Sequence, residues 1–525
     1  MISAFTGQQI RDAEQPLLDS GEGAVLMQRA AYGLAQAVVR EVRKRRRLAG
    51  AGVTVLAGKG NNGGDGLFAA GLLARRGMRT TAVLANAEVH AEALAAFTAA
   101  GGRTLYLEHG NAEELAVLCA GDDVIIDALL GTGARGGLRG ASVELIASLQ
   151  ELRPPLVVAC DLPSGLDATT GEVHWPVLDA DVTVTFGGVK AGLMTDPGEG
   201  CSGVVHLVQI GIEDSLASQE PELRRLTSQD LGAVLPAPGR RAHKYSRGVL
   251  GVVAGSVRFG GAAVLAVHAA ALAGAGMVRY LGPRAAAELV LARTPEALWE
   301  SDEPGRVQAW LLGPGVDGEE QHERAKSAAA AALTAGVPVV VDAGALSLLP
   351  ERCPPHWILT PHAGELATLL GSLPSTGEVA VTREDVESRP LHFVRQAAEQ
   401  TGATVLLKGA TTLVASPSGV VFSQAEGIAW MATAGSGDVL AGILGALLAQ
   451  SAESVKDDDG AYAGLGLDVE DRWAALAAVA ASLHGRAGSQ ASEEFNGGPL
   501  TASAIMSAIP RVIGSLSAEY DRTRP

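Results

Sequence analysis

The chain is 525 residues long and acidic, since 58 Asp and Glu outnumber 41 Lys and Arg and give a formal net charge of −17. This length predicts two or three domains, each large enough to bury a core. The negative charge argues against a general attraction to nucleic acid or to anionic membranes, so we expect neither as a partner.

Cysteine spacing and apolar runs further restrict the class of protein to which the chain belongs. The four cysteines are widely separated and form no C-x-x-C pair. This argues against a disulfide framework or a zinc site and predicts buried thiols in a reducing cytoplasm. The opening MISAFTGQQIRD has no apolar core of a signal peptide, so we expect no export. The most apolar long run, residues 262–278, falls short of a membrane span and predicts a buried helix packed on a sheet.

Periodicity in the first half predicts helices alternating with short strands. Thr6 and Gln9 have the spacing of a capping box at the start of one helix. Leu26, Ala30 and Leu34 share one face of the next helix. Apolar strands are predicted at residues 53–57, 81–84, 124–128, 156–159 and 182–186. This alternation is typical of a parallel α/β sheet with helices on both faces.

The stretch GKGNNGGDG at residues 58–66 stands between the first of these strands and a helical pattern. Glycines in such a loop let backbone N–H groups approach a phosphate, and the helix N-terminus favours its negative charge. The glycine order is neither that of a dinucleotide-binding turn nor that of a P-loop. A mobile surface loop is the alternative, but two adjacent Asn and an Asp within a tight glycine turn favour a binding role.

Two more polar stretches follow later strands of the same half. Asp127 is followed by GTGARGG at residues 131–137, and Asp161 is followed by LPSG. Asp and Gly after a strand are ordinary turn residues, so each stretch alone is a weak signal. Because ligands bind beyond the carboxyl ends of parallel strands, the three stretches together predict one site.

In this order, GNNGGDG, DALLGTG and DLPSG resemble the epimerase domain of the bifunctional NAD(P)H-hydrate repair enzymes, over residues 1 to about 210. The resemblance implies a Rossmann-like three-layer domain with Asp161 as the catalytic acid/base. It also implies that Asn62, Asp127 and Ser164 bind potassium, and three side-chain oxygens suit such a hard cation. The residues that would hold the hydrated dinucleotide are Asn61, Asn62, Gly63, Gly64, Asp65, Gly131, Thr132, Gly133, Ala134, Arg135, Gly136, Gly137 and Asp161.

Residues 212–239 break this pattern with a charged, Pro-containing segment. We interpret it as the domain boundary, consisting of a linker with a short capping helix. The predicted domains are therefore residues 1–215 and residues 225–525.

The second half repeats the alternation of strands and helices without a detectable sequence repeat. Strands are predicted at residues 249–254, before LGPG at 312–315, and at 337–341, 358–359 and 404–407, with a hairpin turn at Ser418-Gly419. The half culminates in AGSGD at residues 434–438, which opens a predicted helix over 439–448. The acidic, turn-rich stretch 451–471 has no motif and is predicted to be a solvated insertion.

The GSGD stretch has features that phosphoryl transfer requires. Gly435 and Gly437 at a helix N-terminus leave N–H groups for phosphates, and Asp438 lies where a substrate hydroxyl would arrive. The alternative is a glycine N-cap with an acidic residue that stabilises the helix dipole. The stretch resembles the anion-hole motif of ribokinase-like enzymes, in which Asp438 would be the general base.

The ordered set AGS, GPG, TPHxGE, KG and GSGD resembles the NAD(P)H-hydrate dehydratase domain, over roughly residues 225–515. The resemblance implies a ribokinase-like fold and a site for ADP or ATP with magnesium. The substrate-binding residues would be Ala262, Gly315, His362 and Asp438, and the nucleotide-binding residues Lys408, Gly409, Ala410, Thr411, Thr412 and Gly437. HGxAG at 484–488 also matches, but Ser489 stands where relatives commonly have Asp, so His484 is assigned only a packing role.

Together the resemblances imply a bifunctional metabolite-repair enzyme. Its substrate would be NADH or NADPH that has gained water across a ring double bond, a lesion with two epimers at the carbon bearing the hydroxyl. The first domain would interconvert the epimers, and the second would dehydrate one of them at the expense of ADP or ATP. The resemblance favours ADP, and we expect a cytoplasmic homo-oligomer.

Two other functions stay open at this point. One is a small-molecule kinase of the ribokinase type with a regulatory first domain. The other is a first domain that binds nucleotides without catalysis, against which the presence of Asp161 and of all three cation oxygens argues.

Overall fold

The computed structural model describes residues 1–300, 305–373 and 380–523. The chain divides into two compact units, here called the N-terminal unit (Ser3–Leu223) and the C-terminal unit (Met1–Ile2 with Arg224–Pro525). Each unit contains parallel strands that alternate with helices, so the predicted two-domain α/β fold class is confirmed.

The first helix of the N-terminal unit starts at the capping box predicted from the sequence. Gln9 N donates to Thr6 Oγ1 at 3.0 Å, and Thr6 N donates to Gln9 Oε1 at 2.8 Å. The elements in chain order are β1 (Ile2–Phe5), α1 (Gly7–Asp19), α2 (Gly23–Arg45), β2 (Gly52–Ala57), α3 (Asn61–Ala74), β3 (Arg79–Leu84), α4 (Ala91–Ala99), β4 (Arg103–Tyr106), α5 (Ala112–Ala120), β5 (Val124–Ala128), α6 (Ala141–Leu152), β6 (Val157–Cys160), β7 (Val182–Phe186), β8 (Val189–Lys190), α7 (Gly198–Ser202), β9 (Val204–Val208) and α8 (Glu213–Ala217).

Seven strands of this unit form a parallel sheet in the order β4-β3-β2-β5-β6-β7-β9. One hydrophobic cluster joins α2, α3 and α4 to one face, and a second joins α5 and α6 to the other. In the central strands, Asp127 of β5 is in register with Leu56 of β2 and Ala159 of β6. The carboxyl ends of β2, β5 and β6 therefore lie side by side, where the three polar stretches begin.

The C-terminal unit is also assembled from strands with intervening helices. Its elements are β10 (Leu223–Arg225), α9 (Ser228–Val234), β11 (Val249–Val253), α10 (Gly260–Leu272), β12 (Met277–Leu281), α11 (Arg284–Arg293), β13 (Leu298–Trp299), β14 (Ala309–Leu312), α12 (Glu319–Ala335), β15 (Val339–Val341), β16 (Trp357–Leu359), α13 (Ala363–Ser372), α14 (Arg383–Ser388), α15 (Pro390–Thr401), β17 (Thr404–Leu407), β18 (Thr412–Ala415), β19 (Val421–Gln424), α16 (Ser436–Lys456), α17 (Val469–Glu493) and α18 (Ala502–Thr523).

The strands from β13 to β17 pair in parallel in the order β13-β12-β11-β14-β15-β16-β17. Strands β17, β18 and β19 then continue as antiparallel neighbours. The predicted hairpin lies between β18 and β19, where Gly419 adopts φ +101°. Helices α10, α16, α17 and α18 share the main hydrophobic cluster of the unit, which is rich in Ala.

Three predicted segments differ from the structure. The apolar run at 262–278 is not one helix, because α10 ends at Leu272 and the chain turns through Gly274, at φ +96°, into β12. Residues 212–239 contain more regular structure than the predicted linker with one short helix, since α8, β10 and α9 lie within them. The stretch 451–471 is only partly solvated. Helix α16 continues into it, and Val455 and Tyr462 are buried at 0% and 1% exposure.

The predicted burial of the cysteines is confirmed, because all four are buried free thiols. Among the described residues, one helix, Ser436–Lys456, has the length and apolar character of a membrane span. Of its most apolar 18-residue window, 78% is buried inside the protein, as in the core helix of an α/β unit.

Candidate active sites

The glycine-rich stretch after β2 is closely packed against the neighbouring strand end. Gly58 N donates to the carbonyl of Ala128 at 3.1 Å. A Cβ at Gly58 would lie 2.0 Å from the carbonyl oxygen of Leu129, and a Cβ at Gly63 would lie 2.1 Å from the carbonyl oxygen of Gly58. Both positions therefore exclude a side chain. The predicted loop is shorter than expected, because α3 begins at Asn61 and takes in the rest of the predicted binding residues.

Asn62, Asp127 and Ser164 converge around one turn of the backbone. Ser164 donates to the Asp127 carboxylate through its hydroxyl at 2.6 Å and through its backbone N–H at 2.8 Å. Asn62 Nδ2 donates to the carbonyl of Leu130 at 2.9 Å, and Leu130 N donates to Ser164 Oγ at 2.8 Å. The structure thus brings together the three residues predicted to hold potassium.

The chemistry of this cluster fits a hard cation. Asp127 is 0% exposed, and burial raises the pKa of its carboxyl, with hydrogen bonds from Ser164 and Leu129 opposing the rise. A bound cation would stabilise the buried carboxylate. Apart from the amide nitrogen of Asn62, the side chains of the three residues offer only oxygen atoms as ligands. Gly131 belongs to the same turn, since a Cβ there would lie 3.1 Å from Asn62 Oδ1.

Asp161 lies directly after β6 with both carboxylate oxygens engaged. Its backbone has φ +71°, a left-handed conformation that is uncommon for a residue with a side chain. Lys190 Nζ donates to Asp161 Oδ1 at 2.5 Å, and Thr185 Oγ1 donates to the same oxygen at 3.3 Å. Asp161 Oδ2 accepts from Thr132 N at 3.2 Å and from the Thr132 hydroxyl. Burial favours a higher pKa for Asp161, but the Lys190 ammonium and the Thr132 hydrogen bonds bring the pKa below its usual value.

The predicted loop at 131–137 contributes unequally to this site. Thr132 contacts Asp161, and Arg11 Nη1 of α1 donates to the carbonyl of Thr132 at 2.7 Å. Gly133, Ala134, Arg135 and Gly136 are exposed, and Gly137 is half-buried against His174. The structure therefore places one residue of the loop on the aspartate and leaves the middle of the loop open to solvent.

Two acidic side chains share the surroundings of Asp161. Asp65 of α3 is 9% exposed, and Glu14 of α1 is partly buried. Burial, Asp161 and Glu14 raise the pKa of Asp65 well above its usual value, against the influence of Lys190. Burial is also the main cause of the raised pKa of Glu14. Sequence analysis included Asp65 but missed Glu14 and Lys190, which carry no local motif.

The C-terminal unit gathers three carboxylates around one lysine. Lys408, directly after β17, lies 2.8 Å from Asp342 Oδ1 and 3.7 Å from Glu365 Oε2, measured from Nζ. A Cβ at Gly437 would lie 3.6 Å from the same Nζ. Burial alone would lower the pKa of Lys408, but Asp342, Glu365 and Asp438 together raise it. Lys408, Gly437 and Asp438, all predicted site residues, are thus neighbours, and Asp342 and Glu365 were missed.

Asp438 lies in the first turn of α16, beyond a glycine with φ +88°. A Cβ at that glycine, Gly435, would lie 2.4 Å from Leu265 Cδ1, and the positive φ itself disfavours a side chain there. Burial and repulsion from Asp342 raise the pKa of Asp438 to about 6, although Lys408 acts in the opposite direction. A carboxyl group with such a pKa is ionised at neutral pH and is basic enough to take a proton.

The predicted substrate residues of this unit lie on neighbouring elements. A Cβ at Gly315 would lie 2.6 Å from the Cβ of Ala262, which places the two in contact. His362 caps α13. Its ring Nδ1 accepts from Glu365 N at 3.2 Å, and its backbone N–H donates to Glu365 Oε2 at 2.9 Å. A cavity of about 1140 Å³ opens beside it and is lined in part by His362, Glu365 and Arg352.

The loop that follows β17 holds the remaining predicted nucleotide residues. Lys408 N donates to the carbonyl of Pro361 at 2.9 Å, so the loop starts next to His362. Gly409 and Ala410 are exposed, Thr411 is buried and Thr412 begins β18. The loop therefore presents its first residues to solvent beside the carboxylate cluster.

His484 has a more specific position than the predicted packing role. Its Nε2 lies 3.1 Å from the hydroxyl of Ser436, the first residue of α16. Burial and the positive charge of Lys408 lower the pKa of His484 to about 4, with a hydrogen bond from Ser436 opposing this. The imidazole is therefore neutral at pH 7 and contacts Ser436 of the GSGD turn. The hydrogen bond adds a contact that the packing assignment did not include, because α17 brings residue 484 back to the start of α16.

The chain is similar to characterised protein families on both sides of the unit boundary. A family described as YjeF-related protein N-terminus matches residues 23–192, and one described as NAD(P)H-hydrate dehydratase matches residues 250–511. A solved structure titled ADP/ATP-dependent NAD(P)H-hydrate dehydratase from Bacillus subtilis, co-crystallised with ATP and Mg²⁺, is 25% identical with a TM-score of 0.47. It covers 56% of this chain and 99% of its own.

Curated proteins named bifunctional NAD(P)H-hydrate repair enzyme Nnr match across both units. The one from Mycobacterium tuberculosis is 42% identical over 466 residues, which are 86% of this chain and 90% of the relative. The one from Escherichia coli K12 is 35% identical over 410 residues, 75% of this chain and 76% of the relative. The chain therefore belongs to the family of bifunctional NAD(P)H-hydrate repair enzymes.

Proposed function

We propose that the N-terminal unit interconverts the two epimers of hydrated NADH or NADPH, and that the C-terminal unit dehydrates one epimer at the expense of ADP or ATP. One observation carries the proposal. Each unit encloses an aspartate beside a lysine, Asp161 with Lys190 and Asp438 with Lys408, in surroundings that set the charge of the carboxylate. Such pairs of perturbed groups are typical of proton-transfer sites.

Epimer exchange needs a group that takes a proton from the substrate hydroxyl. Water adds to an enamine with its hydroxyl on the carbon next to nitrogen, so that carbon bears both oxygen and nitrogen and can open and reclose. The Thr132 hydroxyl already donates to Asp161 Oδ2, and a substrate hydroxyl would take its place. Lys190 holds the other oxygen and keeps Asp161 ionised and fixed in orientation.

Potassium would be held in the N-terminal unit by Asn62, Asp127 and Ser164. When bound, it supplies positive charge beside the buried Asp127 and the turn that leads to Thr132. The hydrogen bonds of Ser164 to Asp127 and of Asn62 to Leu130 support this assignment, because they tie the three polar stretches into one cluster.

Dehydration needs the substrate hydroxyl to become a better leaving group. In the proposed reaction Asp438 takes the hydroxyl proton as the oxygen bonds to the terminal phosphorus of the nucleotide and the bond to the nucleotide oxygen breaks. Phosphate then leaves with the C–O bonding electrons, and a proton is lost from the adjacent carbon to restore the double bond. Backbone N–H groups of residues 435–437 would hold the developing phosphate charge.

The nucleotide would be bound by Lys408, Gly409, Ala410, Thr411, Thr412 and Gly437, and the hydrate by Ala262, Gly315, His362 and Asp438. Three carboxylates surround the single ammonium of Lys408, so the site as built repels phosphates. Magnesium bound with the nucleotide supplies the charge that makes phosphate approach favourable. Asp342 and Glu365 are the nearest carboxylates to Lys408 that could face it.

The proposed nucleotide is ADP, the proposed assembly a homo-oligomer and the proposed compartment the cytoplasm. The four buried, unpaired thiols support a reducing compartment.

The test uses the intact chain with hydrated NADH, magnesium and either ADP or ATP. We expect recovery of the absorbance of the reduced nicotinamide ring together with release of phosphate, fastest with ADP. Accumulation of a stable phosphorylated product without that absorbance would instead identify a small-molecule kinase. Failure to consume both epimers would contradict the role of the N-terminal unit.

A further inference from the structure

Asp65 has a buried carboxylate oxygen that no group in the described part of the chain engages. The side chain is 9% exposed, and Oδ1 has no hydrogen-bond partner there. It projects from the second turn of α3, immediately after Gly63 and Gly64, which pack against Gly58 and His90. A buried, unpaired carboxylate oxygen is unfavourable unless the group is protonated or its partner is a ligand.

The charged groups that act on Asp65 come from three other parts of the unit. Asp161 follows β6, Glu14 lies on α1 and Lys190 ends β8. Burial and the two carboxylates raise the pKa of Asp65, whereas the nearby Lys190 lowers that of Asp161. The surroundings thus favour the protonated form of Asp65, which can give a proton, and the ionised form of Asp161, which can accept one.

The lysine of the cluster is not available as a proton donor to a ligand. Its ammonium has three N–H donors, and these reach Asp161 Oδ1 at 2.5 Å, Thr185 Oγ1 at 3.0 Å and the carbonyl of Phe186 at 2.8 Å. Lys190 is also 1% exposed. Of the acidic groups, Glu14 is the more exposed and Asp65 the one with an unused oxygen inside the cluster.

We propose that Asp65 is the second proton-transfer residue of the epimerase site, the carboxylic acid that gives a proton to the substrate while Asp161 takes one. This inference rests on the epimerase function proposed above. As Asp161 accepts the hydroxyl proton, the freed electron pair forms the C=O bond and the C–N bond breaks. The ring nitrogen keeps that electron pair and receives the proton from Asp65. After rotation of the carbonyl group the steps reverse, nitrogen attacks the other face, and both carboxyl groups regain their starting states.

The central experiment compares Asp65→Asn with Asp12→Asn, at an exposed carboxylate outside the cluster, in the full-length chain. Epimer exchange is followed by NMR or chromatography of hydrated NADH without added nucleotide, so that dehydration does not remove the substrate. We expect Asp65→Asn to lower the exchange rate by about a hundredfold to ten-thousandfold, the usual contribution of a positioned acid. Asp12→Asn, an isosteric change at an exposed carboxylate of α1 that accepts from Gln8, should stay within about threefold of wild type.

A pH profile separates proton donation from a structural role. Wild-type exchange should fall as the pH rises through the pKa of Asp65, because the ionised carboxyl has no proton to give. The residual exchange of Asp65→Asn should lack this basic limb. Retention of more than about a third of the wild-type rate in Asp65→Asn, or an unchanged basic limb, overturns the proposal.

Two further variants keep the outcome unambiguous. If Asp65→Asn fails to fold, Asp65→Ala is assayed with added formate. Formate-dependent recovery supports the proposal, and no response in a folded protein overturns it. Asp161→Asn tests the parent function. Normal exchange in Asp161→Asn removes the epimerase assignment of the whole site, whereas its loss together with normal exchange in Asp65→Asn removes only the role of Asp65.

Discussion

Replacing Asp438 with Asn distinguishes a catalytic base from a helix-capping residue, because the two roles predict opposite changes in stability. The substitution keeps the shape of the side chain but removes its charge and its ability to take a proton. A base contributes about a hundredfold to ten-thousandfold to turnover, so dehydration should fall by that factor. Epimer exchange should be unchanged, since Asp161 lies in the other unit.

The stability change follows from the pKa of the carboxyl. In the folded protein burial and Asp342 raise the pKa of Asp438 to about 6 from 3.8, which means that ionisation opposes folding. The raised pKa stabilises the protein fully below about pH 4, and this contribution is lost as the pH rises through about 6. A neutral Asn is free of that effect, so at pH 7 to 8 the variant should be more stable by about 1–3 kcal/mol. A helix cap would instead lose about 0.5–2 kcal/mol.

Three measurements on the one variant test this reasoning. Dehydration is followed by the absorbance of the reduced ring, stability by urea unfolding, and nucleotide affinity by calorimetry. Wild-type dehydration should rise with pH through about 6 and then level, whereas the variant should lack this step. Near-normal turnover combined with lower stability would refute the assignment of Asp438 as the base and leave it as a helix cap.

Three other substitutions or truncations test the rest of the site. Asp127→Ala removes the only formal charge among the proposed potassium ligands and should slow epimer exchange by about tenfold or more; equal potassium dependence of exchange in variant and wild type would contradict it. A soluble fragment of residues 1–219 should exchange epimers without dehydrating them, and an inert fragment that recovers only on adding the other half argues against two independent units. His484→Ala removes one hydrogen bond to Ser436 and should weaken nucleotide binding or turnover by about fivefold. His356→Ala, a matched partly buried histidine against Trp473, should lower stability alone, and equal effects on turnover would remove the special role of His484.

Local sequence predicted those parts of the fold that depend on local physics. The strands at 124–128 and 182–186 have the predicted bounds. A short β-branched run that is buried on both faces has few stable conformations other than a strand. The capping box at Thr6 and the Ser418-Gly419 turn are also present as predicted, since each is decided within a few residues. The convergence of the three polar stretches followed from a topological rule for parallel sheets, and the choice of Asn62, Asp127 and Ser164 within them followed from the family resemblance.

Features that depend on distant contacts were not predictable in the same way. Lys190 reaches Asp161 from a short strand 29 positions later, and nothing in its neighbours marks it. Arg472 donates to the carbonyls of Val455, Asp457 and Leu467 and holds down a stretch whose acidic composition predicted a solvated insertion. Composition indicates how favourably a segment is solvated, whereas these hydrogen bonds determine which residues it packs against.

The enclosure of Lys190 has a consequence for chemical labelling. Its amine is 1% exposed and its three donors are occupied, so an acylating reagent has no route to it in the folded unit. Exposed lysines such as Lys44 and Lys326 should be acylated rapidly by the same reagent. Lys190 should react only when the end of β8 opens. Its acylation rate, measured by mass spectrometry, should therefore report how often the N-terminal unit opens at this strand.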